Sequence, residues 1–238
     1  AGVSTNVAAA RAFGIAPERV FGFWDWVCGR YSVWSAVGLA LAMGIGGAGF
    51  RGFLSGAAEI DRHFRETPLE ANLPVLLGLL GVWRRNALGL PTLAIVPYEQ
   101  RLERFPAFVQ QLAMESNGKR VTAGGAPVAR ATCPVVWGEP GTNAQHSFFQ
   151  LLHQGTDVVP VEFIAAAEPR EEMSGHHAAL LANCLAQGRA LALGRTEAQA
   201  RAEMASAGLD AAEIDRLAPH RTFPGDRPST TILHRRLD

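Results

Sequence analysis

Three short stretches of the sequence hold the residues best suited to chemistry. The first is FGFWDWVCGRYS, Phe21–Ser32, where Arg30 follows an apolar, strand-like run and opens a long uncharged segment. A guanidinium beside free backbone N–H groups at such a junction makes an anion or oxyanion site. It is as readily an ordinary charged helix terminus capped by a neighbouring Asp. The second is MESNGK, Met114–Lys119, at the end of a helical pattern. Phe105, Phe108, Val109 and Leu112 follow the i, i+3, i+4, i+7 rule, and Glu115 continues the stripe, so its carboxylate is expected to point inward. A partly desolvated carboxylate becomes a general base near neutral pH; a fully paired one is structural. Asn117 and Gly118 read as a left-handed helix stop. The third is WGEPGTNAQHSFFQLLHQGT, Trp137–Thr156, where a strand ends, Pro-Gly turns the chain, and Thr142 or Asn143 caps a new helix. His146 then falls in the first turn, beside the positive end of the dipole, which favours the neutral, proton-exchanging imidazole. A hydrogen-bonded structural histidine is the competing reading, and His153 takes no role.

These stretches need elements to hold them. Apolar, β-rich runs at Val20–Val27, Leu93–Tyr98, Pro134–Trp137 and Val158–Ile164 predict short buried strands. Helical patterns at Tyr31–Ile45, Arg51–Phe64, Pro74–Asn86, Glu103–Glu115 and Gln145–His153 alternate with them, the grammar of a parallel α/β sheet. From Gly175 onward three helices are expected, the second capped by Thr196 and ended by Gly208, the third starting after Asp210. Residues 221–229 read as irregular, and Thr230–Leu233 as a further strand. The predicted organisation is an α/β domain over 1–174 and a helical extension with an irregular tail over 175–238.

With 238 residues, 48% of them hydrophobic, the chain can bury a real core. Lys+Arg and Asp+Glu both number 22, so no basic face points to nucleic acid or an anionic membrane. A small-molecule partner is expected. Cys28, Cys133 and Cys184 are odd in number and widely spaced, which fits a reducing cytoplasm better than disulfides or zinc. Tyr31–Phe50 carries no charge and has the length of a membrane span, but its Gly, Ser and Ala content favours a buried helix in a sheet protein. GIGGAG, Gly44–Gly49, satisfies G-x-G-x-x-G at a helix end rather than between strand and helix, so it reads as a helix exit. His176 and His177 lack companions at ligand spacing, and no metal site is expected.

Taken in order, FGFWDWV-GRYSVWSA, MESNGK and WGEPGTN-QHSFFQLLHQGT resemble glucose-6-phosphate isomerases, from Ser4 to the RPST segment at Arg227. The resemblance implies a sugar-isomerase doubly wound sandwich, a homodimer with shared active sites and no cofactor. The reaction would interconvert glucose 6-phosphate and fructose 6-phosphate through a cis-enediolate, in glycolysis and gluconeogenesis. Glu115 matches the family's base, Arg30 the stabiliser of the enediolate oxygen, and His146 the ring-opening histidine contributed by the neighbouring subunit. Gln111 and Gly29 match substrate-binding positions. Arg30, Gln111 and Glu115 are expected to line one cleft at the carboxyl ends of parallel strands, with the same chain's His146 apart from it.

The sequence departs from the family in several places. The family's phosphate-binding loop would lie before Ala1 and its ring-opening lysine beyond Asp238; the sole lysine, Lys119, sits within MESNGK. The chain therefore reads as a fragment, not expected to isomerise on its own. The alternative is a non-catalytic sugar-phosphate-binding or dimer-forming remnant. Cys28 and Ala144 stand where glycine is usual, and a positive φ at either would strain the loop.

Overall fold

The computed structural model describes residues 1–27, 29–171 and 174–237; Cys28, and the effect expected of it, lie outside them. The chain forms two compact units, residues 1–80 and 81–238. The boundary expected after residue 174 does not coincide with this division.

In the first unit, strand β1 (Gly2–Val3) pairs in parallel with β2 (Val20–Phe21) across helix α1 (Val7–Ala12), whose amide at Ala9 is capped by the Asn6 side chain at 2.9 Å. The strand expected over Val20–Val27 stops at Phe21. Beyond Gly22 the chain turns, with the Val27 amide donating to the Trp24 carbonyl at 2.9 Å, and the Trp24 and Trp26 indoles stack 5.3 Å apart. Two 3-10 turns follow, Gly29–Tyr31 and Ala36–Gly38, the second capped by Ser35. Only then does α2 begin, running Leu39–Glu66. The helices expected at Tyr31–Ile45 and Arg51–Phe64 are thus one element that starts late and is interrupted at Gly46 (φ 76°, ψ 161°), within GIGGAG. Ser32 and Ser35 delay its start by turning their hydroxyls onto the carbonyls three residues back, at 2.6 and 2.7 Å, which favours tight turns over helix.

The expectation of a buried helix is overturned: no residue of α2 is buried. Its apolar side chains need a covering surface that residues 1–80 do not supply. Residues Ala36–Glu66 are long and apolar enough to cross a membrane by length and composition. Asn72, 1% exposed, closes the turn after α2 by donating to the Phe64 carbonyl at 2.8 Å, and α3 (Leu73–Val82) follows.

The second unit is built on a four-stranded parallel sheet of β3 (Thr92–Pro97), β4 (Val135–Trp137), β5 (Val161–Ala166) and β6 (Ser229–His234). Their order in space is β4-β3-β5-β6, so the winding reverses between β3 and β5. Register pairs Ala94 with Trp137 on one side and with Val161 on the other, and Val161 with Ser229. Strands buried on both faces read as continuous apolar runs, which is why they were legible. One face, with Ala94, Val96, Phe163 and Ala165, packs against α5 (Gly141–Ser147), α6 (Phe149–Gln154) and α7 (His176–Leu193) through Ala144, Phe149, Leu152, Cys184 and Leu191. The opposite face, with Ile95, Val136 and Ile164, is covered by α4 (Phe105–Val109). Helices on both faces of a parallel sheet make the doubly wound arrangement that was expected.

The tail is an integral part of this unit. A full capping box at Thr196 and Gln199 starts α8 (Glu197–Ser206), Gly208 at φ 83° ends that segment, and Asp210 caps α9 (Ala211–Leu217), all as predicted. The irregular stretch before β6 is tied down by Arg227, which donates to the carbonyls of Asp157 at 2.9 Å and Gly155 at 2.7 Å.

Candidate active site

In the first unit, Gly29 and Arg30 lie in the 3-10 turn Gly29–Tyr31, eight residues short of α2, rather than at the start of the long helix. Gly29 sits at φ 51°, a conformation open to glycine without cost, and its carbonyl accepts from the Ser32 hydroxyl at 2.6 Å. Arg30 is half-buried.

In the second unit, the helix after β3 does not run as a regular α-helix to Glu115. After Val109 it widens into a π-helical turn, Gln110–Glu115. Such i→i+5 turns occur mostly as single insertions and frequently at functional sites. The buried stripe differs from the expected one: Leu102, Phe105, Val109 and Ala113 meet the sheet, while Phe108 is 49% exposed. Glu115 therefore comes out exposed, not inward as the 3.6-residue period implied, and Gln111, about one turn before it, is exposed too. Neither Asn117 nor Gly118 is left-handed. Gly118 is required for another reason: its amide donates to the Met114 carbonyl at 2.8 Å, and a Cβ would collide with that oxygen. The Glu115 carbonyl in turn accepts from the Lys119 ammonium.

This turn packs against β4. The Asn117 carbonyl accepts from the Cys133 amide at 3.4 Å, two residues before the strand starts, so Glu115 lies toward the amino end of β4. It is not at the carboxyl edge, where it was expected. His146, in contrast, belongs to α5, which starts beyond the carboxyl end of β4. The N-cap is Pro140, Thr142 and Asn143 lie within the first turn, and His146 is in the last turn, away from the positive end of the dipole. The helix expected over Gln145–His153 is split at Phe148 (φ −136°). Consecutive helical residues point about 100° apart, and the break lets both Phe148, edge-on to Trp137 at 4.6 Å, and the buried Phe149 reach the core. Ala144, where a strained backbone was feared, is helical and fully buried, so its methyl is accommodated.

Two features were invisible in the sequence. Tyr98, read only as the end of a strand, is buried and hydrogen-bonded to Gln145 at 2.9 Å; burial pushes its phenol up to about 12, the bond to Gln145 acting the other way. The winding reversal between β3 and β5 opens a cleft of about 600 Å³ at the carboxyl edge, lined by Glu99, Arg101, Thr142, Glu171, His177 and Asn183. Arg101 bridges Glu99 at 3.4 Å and Glu171 at 2.5 Å there. Strand order cannot be read from a single sequence, so neither could this cleft. Among the described residues no group of three or more His, Cys, Asp or Glu could hold a metal.

The sequence profile described as phosphoglucose isomerase matches residues 1–238. The chain is 59% identical over 239 residues to glucose-6-phosphate isomerases of Xanthobacter autotrophicus and Mesorhizobium japonicum, covering 100% of itself and 44% of each. It thus spans less than half the length of these relatives. A crystal structure of a glucose-6-phosphate isomerase from Chlamydia trachomatis superposes with a TM-score of 0.80 at 36% identity, over 99% of this chain and 50% of that one. A hypothetical protein from Thermus thermophilus gives a TM-score of 0.61 at 28% identity, over 77% of this chain and 45% of its own.

Proposed function

Because the chain belongs to the phosphoglucose isomerase family along its whole length, we propose that it supplies part of a cytoplasmic glucose-6-phosphate isomerase that interconverts glucose 6-phosphate and fructose 6-phosphate. Glu115 carries the proton between C2 and C1 of the open-chain sugar. Arg30, with the backbone at Gly29, holds the enediolate oxygen, and Gln111 orients the substrate beside Glu115. His146 of a second copy opens the sugar ring. The chemistry needs an acid/base pair and an oxyanion donor, which side chains provide, so no metal or organic cofactor takes part. Neither nucleic acid nor a membrane is a partner in this reading.

The observation that carries this reading is the π-helical turn Gln110–Glu115, which presents Gln111 and Glu115 together on an exposed surface where substrate can reach both. The placement of Glu115 toward the amino end of β4 and of His146 beyond its carboxyl end supports a site completed by another copy. A positioned base contributes roughly 10²- to 10⁴-fold in rate, and an oxyanion donor on the order of 3 kcal/mol. The test is Glu115→Gln in the full-length enzyme, assayed for isomerisation and for exchange of the C2 proton with D2O. Both should fall by about 10²- to 10⁴-fold. Undiminished exchange in the variant would remove Glu115 from the role of base.

A further inference from the structure

Tyr98, the residue directly after β3, joins the sheet to the helix that bears His146. Its amide donates to the Ile164 carbonyl at 2.7 Å, extending the β3–β5 ladder by one residue. Its ring is 3% exposed and stands edge-on to Phe163, centroids 6.0 Å apart. Backbone and ring are therefore fixed by the sheet itself. Two contacts pass that rigidity to α5. Gly141, at the start of the helix, lies so close to the phenol that a Cβ would overlap three ring carbons, so only glycine permits the approach. One turn later the Gln145 side chain donates to the Tyr98 hydroxyl at 2.9 Å. Ala144, between them, is fully buried in the same cluster.

His146 follows Gln145 and is exposed. A helix of seven residues has almost no stability of its own, so its contacts decide where its residues point. We propose that Tyr98 is a positioning residue for His146: its ring seats Gly141 and its hydroxyl holds Gln145, which together fix the position and rotation of α5. The proposal rests on the reading of His146 as the ring-opening group. Since burial keeps the phenol protonated well above neutral pH, the hold is not released as pH changes across the working range.

The test uses the full-length enzyme with Tyr98→Phe, Gln145→Leu, His146→Ala and the pairwise combinations, measuring anomer interconversion of glucose 6-phosphate as the ring-opening step, kcat and KM for isomerisation, and thermal midpoint. Misplacement of a catalytic group by about 1 Å costs up to roughly 10²-fold. Tyr98→Phe and Gln145→Leu should each slow ring opening by about tenfold with KM unchanged, and the double variant should be no worse than Gln145→Leu alone, which already removes the bond to Tyr98 together with a longer one to Asn183 at 3.5 Å. Tyr98→Phe should add nothing to His146→Ala. Gln145→Leu breaks the same bond from the helix side, should Tyr98→Phe fold poorly. Unimpaired ring opening in folded Tyr98→Phe or Gln145→Leu, or an equal loss when Tyr98→Phe is placed on His146→Ala, overturns the proposal while the reading of His146 stands. Unimpaired ring opening in His146→Ala overturns both.

Discussion

Arg84 offers a test of what holds the second unit together. It lies in a π-helical turn after α3 and is only 7% exposed. One guanidinium nitrogen donates to the Thr230 hydroxyl at 2.7 Å, and another stands 3.7 Å from the Glu162 carboxylate. Glu162 and Thr230 are register partners on β5 and β6, so one side chain ties the turn to two strands. Removing one member of a buried pair costs about 3–5 kcal/mol, chiefly by stranding the other charge. At 3.7 Å, and with the Glu162 side chain 21% exposed, the pair belongs at or below the low end of that range. Losing the bond to Thr230 adds about 1 kcal/mol. Arg84→Met should therefore destabilise by about 3–4 kcal/mol, whereas Arg84→Met with Glu162→Met, which strands no charge, should cost about 1–2 kcal/mol. Urea unfolding of the enzyme, followed by tryptophan fluorescence, measures both. The pH dependence adds a second check. Burial raises the Glu162 pKa, opposed by Arg84, so the folded state binds this proton more tightly than the unfolded chain does. Its contribution is favourable at low pH and is lost as pH rises from the ordinary carboxylate range through the raised folded value. Arg84→Met should extend that loss to higher pH, and Glu162→Gln should abolish it. A double variant as unstable as the sum of the two single variants would refute the coupling.

Two further outcomes are expected. Cys184 is fully buried, and burial pushes its thiol up to about 11, so alkylation at pH 8 followed by peptide mapping should leave it unmodified until the protein is unfolded. Thr196→Ala removes half of a capping box and should lower stability by about 1 kcal/mol, with Thr196→Asp restoring most of it in the same urea assay.

The sheet was legible because strands covered on both faces must be apolar almost throughout; Leu93–Tyr98 and Val158–Ile164 were placed to within a few residues of β3 and β5. Caps were legible where the chemistry is local, as at Thr196 and Asp210. What failed depends on information that no short window holds. The helix before Glu115 carries more apolar residues than the sheet covers: Leu102, Phe105, Val109 and Ala113 meet it and Phe108 does not, so counting Phe108 as inward turned Glu115 the wrong way. The split at Phe148 comes from two aromatic side chains competing for one core, a tertiary effect. An apolar composition marked α2 for burial, yet composition does not say which surface covers it. The motifs themselves, by contrast, identified the family, because residue identities in a fixed order carry more information than periodicity does.

The proposal that the site is shared between copies can be tested directly by subunit complementation. In a two-fold dimer each site would take Glu115 from one copy and His146 from the other. Full-length enzymes bearing Glu115→Gln or His146→Ala are purified separately, then unfolded and refolded together at equal concentration. Random pairing makes half of the dimers mixed, each with one of its two sites intact, so activity should recover to about a quarter of wild type. Recovery no greater than the average of the two parent variants, with mixed dimers demonstrably formed, would contradict a site shared between copies.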